Sequence, residues 1–196
     1  MLEVARTGSE TSPAVKLRGV HHLALNTEDM KATIDFYTEV LGMPLVHAMK
    51  VPPGTARGNP PFDNLRHYFF DMGNDSLLAF FEMPKGAKQT GDRDAIAAMQ
   101  HCSFATSAEQ AEVYLERLKA ANVDVLGPID PAPGLRSIYF FDNNGIRLEI
   151  SWRPVDHGDD VHVLESVAQG REAALRELRT LHDDPAWLEQ VTRHLV

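Results

Sequence analysis

Cysteine is almost missing from this chain: of 196 residues only Cys102 carries a thiol. An intrachain disulfide is therefore excluded, and so is a zinc site built on thiolates, which leaves His, Asp and Glu to hold any metal. Positive charge is also scarce. With 19 Lys and Arg against 28 Asp and Glu, the formal charge of -9 opposes a polyphosphate backbone and an anionic membrane surface. Neither nucleic acid nor a membrane is an expected partner. No apolar run approaches the roughly 20 residues that a membrane span needs, and the opening MLEVARTGSETSPAV lacks the apolar stretch of a signal peptide. These absences read as a cytoplasmic protein.

What is present is a repeat. Residues 1–15 are polar and rich in Gly, Ser, Thr and Pro, so they are expected to form a loose tail, with the fold beginning at Lys16. From Leu17 to Thr27 apolar and polar residues alternate: Leu23 and Leu25 take one parity, and His22, Ala24 and Asn26 the other, which predicts a strand with two unlike faces. Cap-type residues Thr27-Glu28-Asp29 then precede Met30, Ile34, Tyr37, Val40 and Leu41, a helical spacing that stops at Gly42. Strands are predicted over 44–50, 66–72 and 76–83, the last two joined by a Gly73-Asn74-Asp75 turn. The same order returns further on, with a strand over 99–106, a helix over 108–121 that Asn122 stops, and strands near 123–129, 135–141 and 146–152. Shifting the second copy back by 79 residues places His101 on His22 and Phe104 on Leu25. The economical reading is α+β: two βαβββ modules, 16–83 and 99–152, forming cup-shaped mixed sheets within one domain of residues 16–152.

Two irregular stretches separate these elements. Residues 51–64 contain Pro52, Pro53, Pro60 and Pro61, and read either as a lid or as an ordinary surface loop; 84–94 is the other. Residues 153–196 form a helical extension, with Leu164, Val167, Leu175, Leu178 and Leu181 in one expected helix and Trp187, Leu188, Val191 and Leu195 in another after Pro185. Such apolar stripes call for packing on the sheets or across a dimer.

Each module opens on a strand whose histidine shares a face with small or polar residues, His22 with Ala24 and Asn26, His101 with Ser103 and Ala105. In the last strand, Ile146, Leu148 and Ile150 take the buried parity and Glu149 the other, beside Arg147 and Ser151. A carboxylate set mid-strand in so apolar a run is costly without a cation or hydrogen-bond partner. A lone strand histidine is ordinarily a hydrogen-bonded structural residue, and His21 is read that way. Two histidines at equivalent positions plus an inward acid form a joint pattern, and it predicts one divalent metal on His22, His101 and Glu149. Two imidazoles and one carboxylate leave positions open for water, a chelating substrate or dioxygen.

With VHHLALNTEDMKATIDFYTEVLGM (20–43), QHCSFAT (100–106) and YFFDNNGIRLEI (139–150), the chain resembles the vicinal oxygen chelate superfamily, which includes glyoxalase I, extradiol dioxygenases, methylmalonyl-CoA epimerase, fosfomycin-resistance enzymes and bleomycin-binding proteins. The resemblance covers about residues 17–152 and implies ligands at His22, His101 and Glu149. A fourth ligand, common in the superfamily, would fall nearest Ala79 or Phe80, and only a slipped or bulged strand would bring in Glu82. Extradiol dioxygenases carry a Tyr ten residues before the carboxylate, where this chain has Tyr139. An Asn143-Asn144-Gly145 hairpin loop pairing Asp142 with Ile146 would set Tyr139 opposite Glu149, placed to hydrogen-bond a substrate oxygen. The histidine that the extradiol signature has shortly before that Tyr is absent from GPIDPAPGLRS, and the Pro that follows its Asp is replaced by Asn143. His67 is the acid–base residue expected instead, and Arg147 either binds a substrate anion or is solvated.

The resemblance implies, first, an Fe(II)-dependent dioxygenase acting on a small catechol-like substrate with adjacent oxygens. The alternatives are a redox-neutral glyoxalase, epimerase or lyase type using Mn, Co, Ni or Zn, with Glu82 as its base, and a metal-free drug- or metabolite-binding protein. It also implies a homodimer, in which one chain can supply the first-module ligand to the other.

Overall fold

The computed structural model of the chain describes residues 19–52, 65–88 and 91–195. The expected tail over 1–15, most of the 51–64 loop and residues 89–90 lie outside the described residues. The chain forms two compact units, Met1–Met30 with Met43–Lys85, and Lys31–Gly42 with Gly86–Val196.

The first unit is a four-stranded mixed sheet of β1 (His22–Thr27), β2 (Leu45–Lys50), β3 (Arg66–Asp71) and β4 (Leu77–Glu82), in the order β1-β4-β3-β2. β1 runs parallel to β4, and the other pairs are antiparallel. The alternation read in the sequence holds: His22, Ala24 and Asn26 are exposed while Leu23 and Leu25 are partly covered. Leu23 and Leu25 lie beside Leu78 and Phe80, which are fully buried. Burying each such side chain contributes about 1.5–3 kcal/mol. That fixes the register, because a one-residue slip would turn this apolar face to solvent.

In the second unit, α1 (Met30–Asp35) continues into a π-helical turn, Phe36–Val40. Gly42 ends it in the left-handed region at φ +70, and a Cβ there would come within 2.8 Å of the Arg117 guanidinium. The helical segment 31–42 packs on elements of the second module. The buried Tyr37 hydroxyl donates to Asp142 Oδ2 (3.0 Å), Asn143 Nδ2 donates to Thr33 Oγ1 (3.1 Å), and Arg117 donates to the Glu39 carbonyl (2.6 Å). Periodicity shows which face of a helix is buried but not what covers it, so this placement was not readable from the sequence.

The second sheet contains β5 (Cys102–Ala105), β6 (Leu126–Ala132), β7 (Leu135–Phe141) and β8 (Arg147–Trp152) in the order β5-β8-β7-β6, with α2 (Ala108–Ala120) between β5 and β6. Its order repeats that of the first sheet, so the fold is α+β with two βαβββ modules.

Four boundaries differ from expectation. β1 begins at His22, not Leu17, with residues 19–21 outside the strand. β5 begins at Cys102, not Met99, which leaves His101 immediately before the strand. β6 starts at Leu126 and not Val123, because the Val123 N–H donates to the Leu118 carbonyl and still belongs to the helix end. As an edge strand, β6 tolerates Pro128 and Pro131. The single helix expected from Val163 to Leu181 is two, α3 (Val163–Val167) and α4 (Arg171–Leu181), since Ala168 and Gly170 are extended. α5 (Pro185–Thr192) is capped by Asp184, whose carboxylate accepts from the Ala186 N–H. α4 and α5 pack on each other, with Arg171 donating to Thr192 Oγ1 and paired with Glu189. Among the described residues no helix is long and apolar enough to cross a membrane.

Candidate metal centre

In the second unit, His101 and Glu149 meet: His101 Nε2 lies 2.8 Å from Glu149 Oε2. Two features of the chain bring them there. β5 and β8 are parallel, with Ser103 beside Glu149, so the residue that opens the module stands at the end of the strand carrying the acid. The alternation of β8 turns Glu149 away from the buried Leu148 and Ile150, yet its side chain is only 7% exposed.

His101 Nδ1 donates to Gln100 Oε1, and Gln100 Nε2 donates in turn to Asp94 Oδ1 (3.4 Å). The 2.8 Å from Nε2 to a carboxylate oxygen is a hydrogen-bond distance that a proton satisfies, and a divalent metal can take that proton's place. Imidazole and carboxylate are donors that a divalent metal accepts, and Gln100 fixes the ring as an outer partner does at metal histidines. Cys102, the neighbour of His101, takes the other parity and its burial pushes the thiol up, so it stays protonated and does not compete as a ligand.

Glu149 is surrounded by donors. Burial raises its pKa, but hydrogen bonds from Ser137, Tyr139 and Ser151, and the nearby His101, outweigh that and hold it below the usual carboxylate value. Tyr139 pairs directly with Glu149 across β7 and β8, as the hairpin loop predicts: the Asp142 N–H donates to the Ile146 carbonyl at 3.0 Å, and Gly145 is left-handed at φ +76. Burial and then the Glu149 carboxylate push the Tyr139 phenol up, against Ser137 and Arg147, so it remains a proton donor at neutral pH. The Arg147 guanidinium lies 4.7 Å from the centre of the Tyr139 ring.

In the first unit, His22 opens β1 and shares a sheet face with His67, Phe69 and Ala79. Its ring is 5.7 Å from Phe69 and 6.4 Å from His67. His21, read from sequence as structural, has Nδ1 at 2.9 Å from His22 Nδ1 and so helps to set that ring. His67 is buried, stacks on Phe81 at 3.7 Å, and donates from Nδ1 to the Phe80 carbonyl, which leaves Nε2 with the lone pair. Burial lowers its pKa first, and the His22 and His47 charges lower it further against the Phe80 hydrogen bond. Glu82 lies on the opposite face. There it accepts from the Met30 N–H (3.1 Å) and pairs with Arg66, while β4 keeps an unbroken register with β1 and has no bulge to turn it round. Among the described residues, no three His, Cys, Asp or Glu side chains gather as a metal-binding group.

Sequence reasoning missed Gln100, and it did not single out Ser137 and Ser151 as donors to Glu149. The signal for both serines was present, since they lie two residues from Tyr139 and Glu149 and share their parity. Gln100 offered none, because its role depends on the ring orientation of its neighbour.

Residues 19–150 match the family model of the Glyoxalase/Bleomycin resistance protein/Dioxygenase superfamily. The chain belongs to this superfamily. Among solved structures it is similar to a glyoxalase/dioxygenase from Nostoc punctiforme, at 24% identity and a TM-score of 0.55 over 76% of this chain and 99% of that one. It is similar also to the fosfomycin resistance protein FosX from Listeria monocytogenes, at 19% identity and a TM-score of 0.54 over 78% of this chain and 100% of that one. A mutant of FosX has been solved in complex with Mn(II) and dihydroxypropylphosphonic acid, and matches at 21% identity and a TM-score of 0.51 over 71% of this chain and 94% of that one. At these identities the likeness is one of fold. Among curated proteins there is no match. The superfamily contains metal-dependent enzymes, and its members bind small-molecule substrates.

Proposed function

We propose that this member of the superfamily is an enzyme that holds one divalent metal with His22, His101 and Glu149, and that it is an Fe(II)-dependent dioxygenase of a small catechol-like substrate. The observation that carries the reading is the contact of His101 Nε2 with Glu149 Oε2, an imidazole and a carboxylate of the kinds that hold a divalent metal, brought together at 2.8 Å. Bound there, Fe(II) would supply open positions for the two neighbouring oxygens of a substrate and for dioxygen, and the redox chemistry that joins them.

The protein's own groups do the rest. Tyr139 donates to Glu149, helps to hold that carboxylate below its usual value, and offers the lone pairs of its phenol oxygen to a substrate hydroxyl. His67, neutral and with Nε2 free of its backbone partner, takes the proton that a substrate hydroxyl must lose on binding. Phe69 and Phe81 hold the His67 ring between them on the His22 face. The redox-neutral alternative with Mn, Co, Ni or Zn needs a base at a substrate carbon. Glu82, its expected base, is engaged with Met30 and Arg66 on the far side of the sheet. A metal-free binding protein needs no metal ligands, and the His101 and Glu149 pair favours the metal enzyme over it. The third donor is His22, and a homodimer in which each chain lends its His22 to the partner's His101 and Glu149 completes the site.

The test is the metal content of anaerobically purified protein, native against His101→Ala and Glu149→Ala, with oxygen uptake on a panel of catechols. Stoichiometric iron, lost in both variants, with uptake by the native protein alone, supports the reading. Retention of Mn, Co, Ni or Zn without oxygen uptake replaces it by the redox-neutral enzyme, and a native protein that keeps no metal replaces it by the binding protein.

A further inference from the structure

A cavity of about 290 Å³ in the second unit lies against the strands that carry Glu149. Ser103, Glu149 and Ser151 line it on the sheet side, and Val161, Val163 and Val167 of the C-terminal extension line it from beyond residue 150, where the family match ends. The extension is tied down there. Arg153 donates to Glu165 (2.7 Å), and the His162 N–H donates to Asp156 Oδ2 (3.2 Å). A dry cavity of about 150 Å³ takes benzene. A space of this size therefore suits a single ring with a short substituent.

The hydroxyls along the sheet form a chain: Ser103 Oγ lies 2.9 Å from Ser151 Oγ, which lies 3.0 Å from Ser137 Oγ. Ser103 is the exposed end of that chain and presents its hydroxyl, a donor and an acceptor, to the cavity.

We propose that this cavity holds the body of the substrate and that Ser103 determines specificity there, its hydroxyl forming a hydrogen bond with a hydroxyl or amine substituent on a single-ring substrate. The assignment rests on the proposed metal enzyme only in calling the ligand a substrate; the pocket and its hydroxyl depend on the second unit alone.

The experiment is a ligand-observed NMR titration of the full chain with benzyl alcohol and with toluene. The native protein is expected to favour benzyl alcohol by about five-fold, the effect of one hydrogen bond. Ser103→Ala should abolish the preference, Ser103→Thr should keep it, and Val161→Phe should weaken both ligands at least about ten-fold by filling the space. An equal preference in native protein and Ser103→Ala overturns the role of Ser103, and undiminished binding by Val161→Phe overturns the pocket. Metal analysis of the same samples separates the two readings: protein that retains no metal yet shows the Ser103-dependent preference loses the enzyme assignment and keeps the pocket.

Discussion

Ala79 and Glu149 occupy equivalent places in the two sheets. Ala79 pairs with Ala24 and Phe69, and Glu149 pairs with Ser103 and Tyr139, the counterparts of those residues in the second module. The first module thus offers a histidine where the second offers a histidine and an acid, and the expected donor set stops at three. Ala79 is fully buried, so Ala79→Glu would place a carboxylate among Phe69, Phe81 and their neighbours without the serines that serve Glu149. The expected cost is about 3 kcal/mol at neutral pH, read by urea unfolding. Burial would raise the pKa of the new acid above its unfolded value, so the penalty should shrink as pH falls and grow as pH rises. A variant as stable as the native chain at pH 7 would contradict this.

Sharing of His22 between chains makes a distinct prediction. His22→Ala and Glu149→Ala are each expected to lose metal and activity. Unfolded together and refolded as a mixture, they should form heterodimers in which one of the two sites is whole, and recover metal and turnover. If each chain builds its own site, the mixture stays inactive.

Tyr139→Phe removes one donor from Glu149 while keeping a ring beneath Arg147. Turnover should fall about 10- to 100-fold, the usual effect of losing an outer partner of a metal ligand, with the fold intact. Unchanged kcat would remove Tyr139 from the site's chemistry.

The Tyr37 hydroxyl is raised well above the ordinary phenol value, by burial first and then by the Asp142 carboxylate it donates to. Its folded pKa exceeds the unfolded one. The stability it contributes is therefore complete below the unfolded value of about 10 and is lost as pH rises from there through the folded value. Tyr37→Phe should cost about 1–2 kcal/mol at pH 7 and flatten the alkaline loss seen in the native protein, both measured by urea unfolding from pH 7 to 11.

Much of this architecture is local and so legible. The parity of Leu23 and Leu25 against His22, the stop at Gly42, and the hairpin loop that sets Tyr139 opposite Glu149 each depend on neighbours within a dozen residues. Glu82 could be doubted on register alone, and its engagement with the Met30 N–H removes it from the site. The remainder depends on distance in sequence. Nothing near Tyr37 announces Asp142, and nothing in the apolar stripe of residues 163–181 shows that the chain straightens at Ala168 or that Val161 and Val163 face a cavity. Helical periodicity runs through an interruption of a few residues, which is why one helix was expected where two are found.

The attachment of segment 31–42 to the second module also bears on how the chain acquires its structure during synthesis. Tyr37 leaves the ribosome 105 residues ahead of Asp142. At about 5–20 residues per second this is a wait on the order of 5–20 s. Until then that short helix has only its partners in α2, such as Arg117 at the Glu39 carbonyl, and lacks those of the 142–144 loop, and the strands on either side of it can pair before it docks fully. A nascent chain stalled before α2 should expose this helix to chaperones and proteases, and synthesis through Asp142 should protect it. The long loop closure makes its docking a late event in folding.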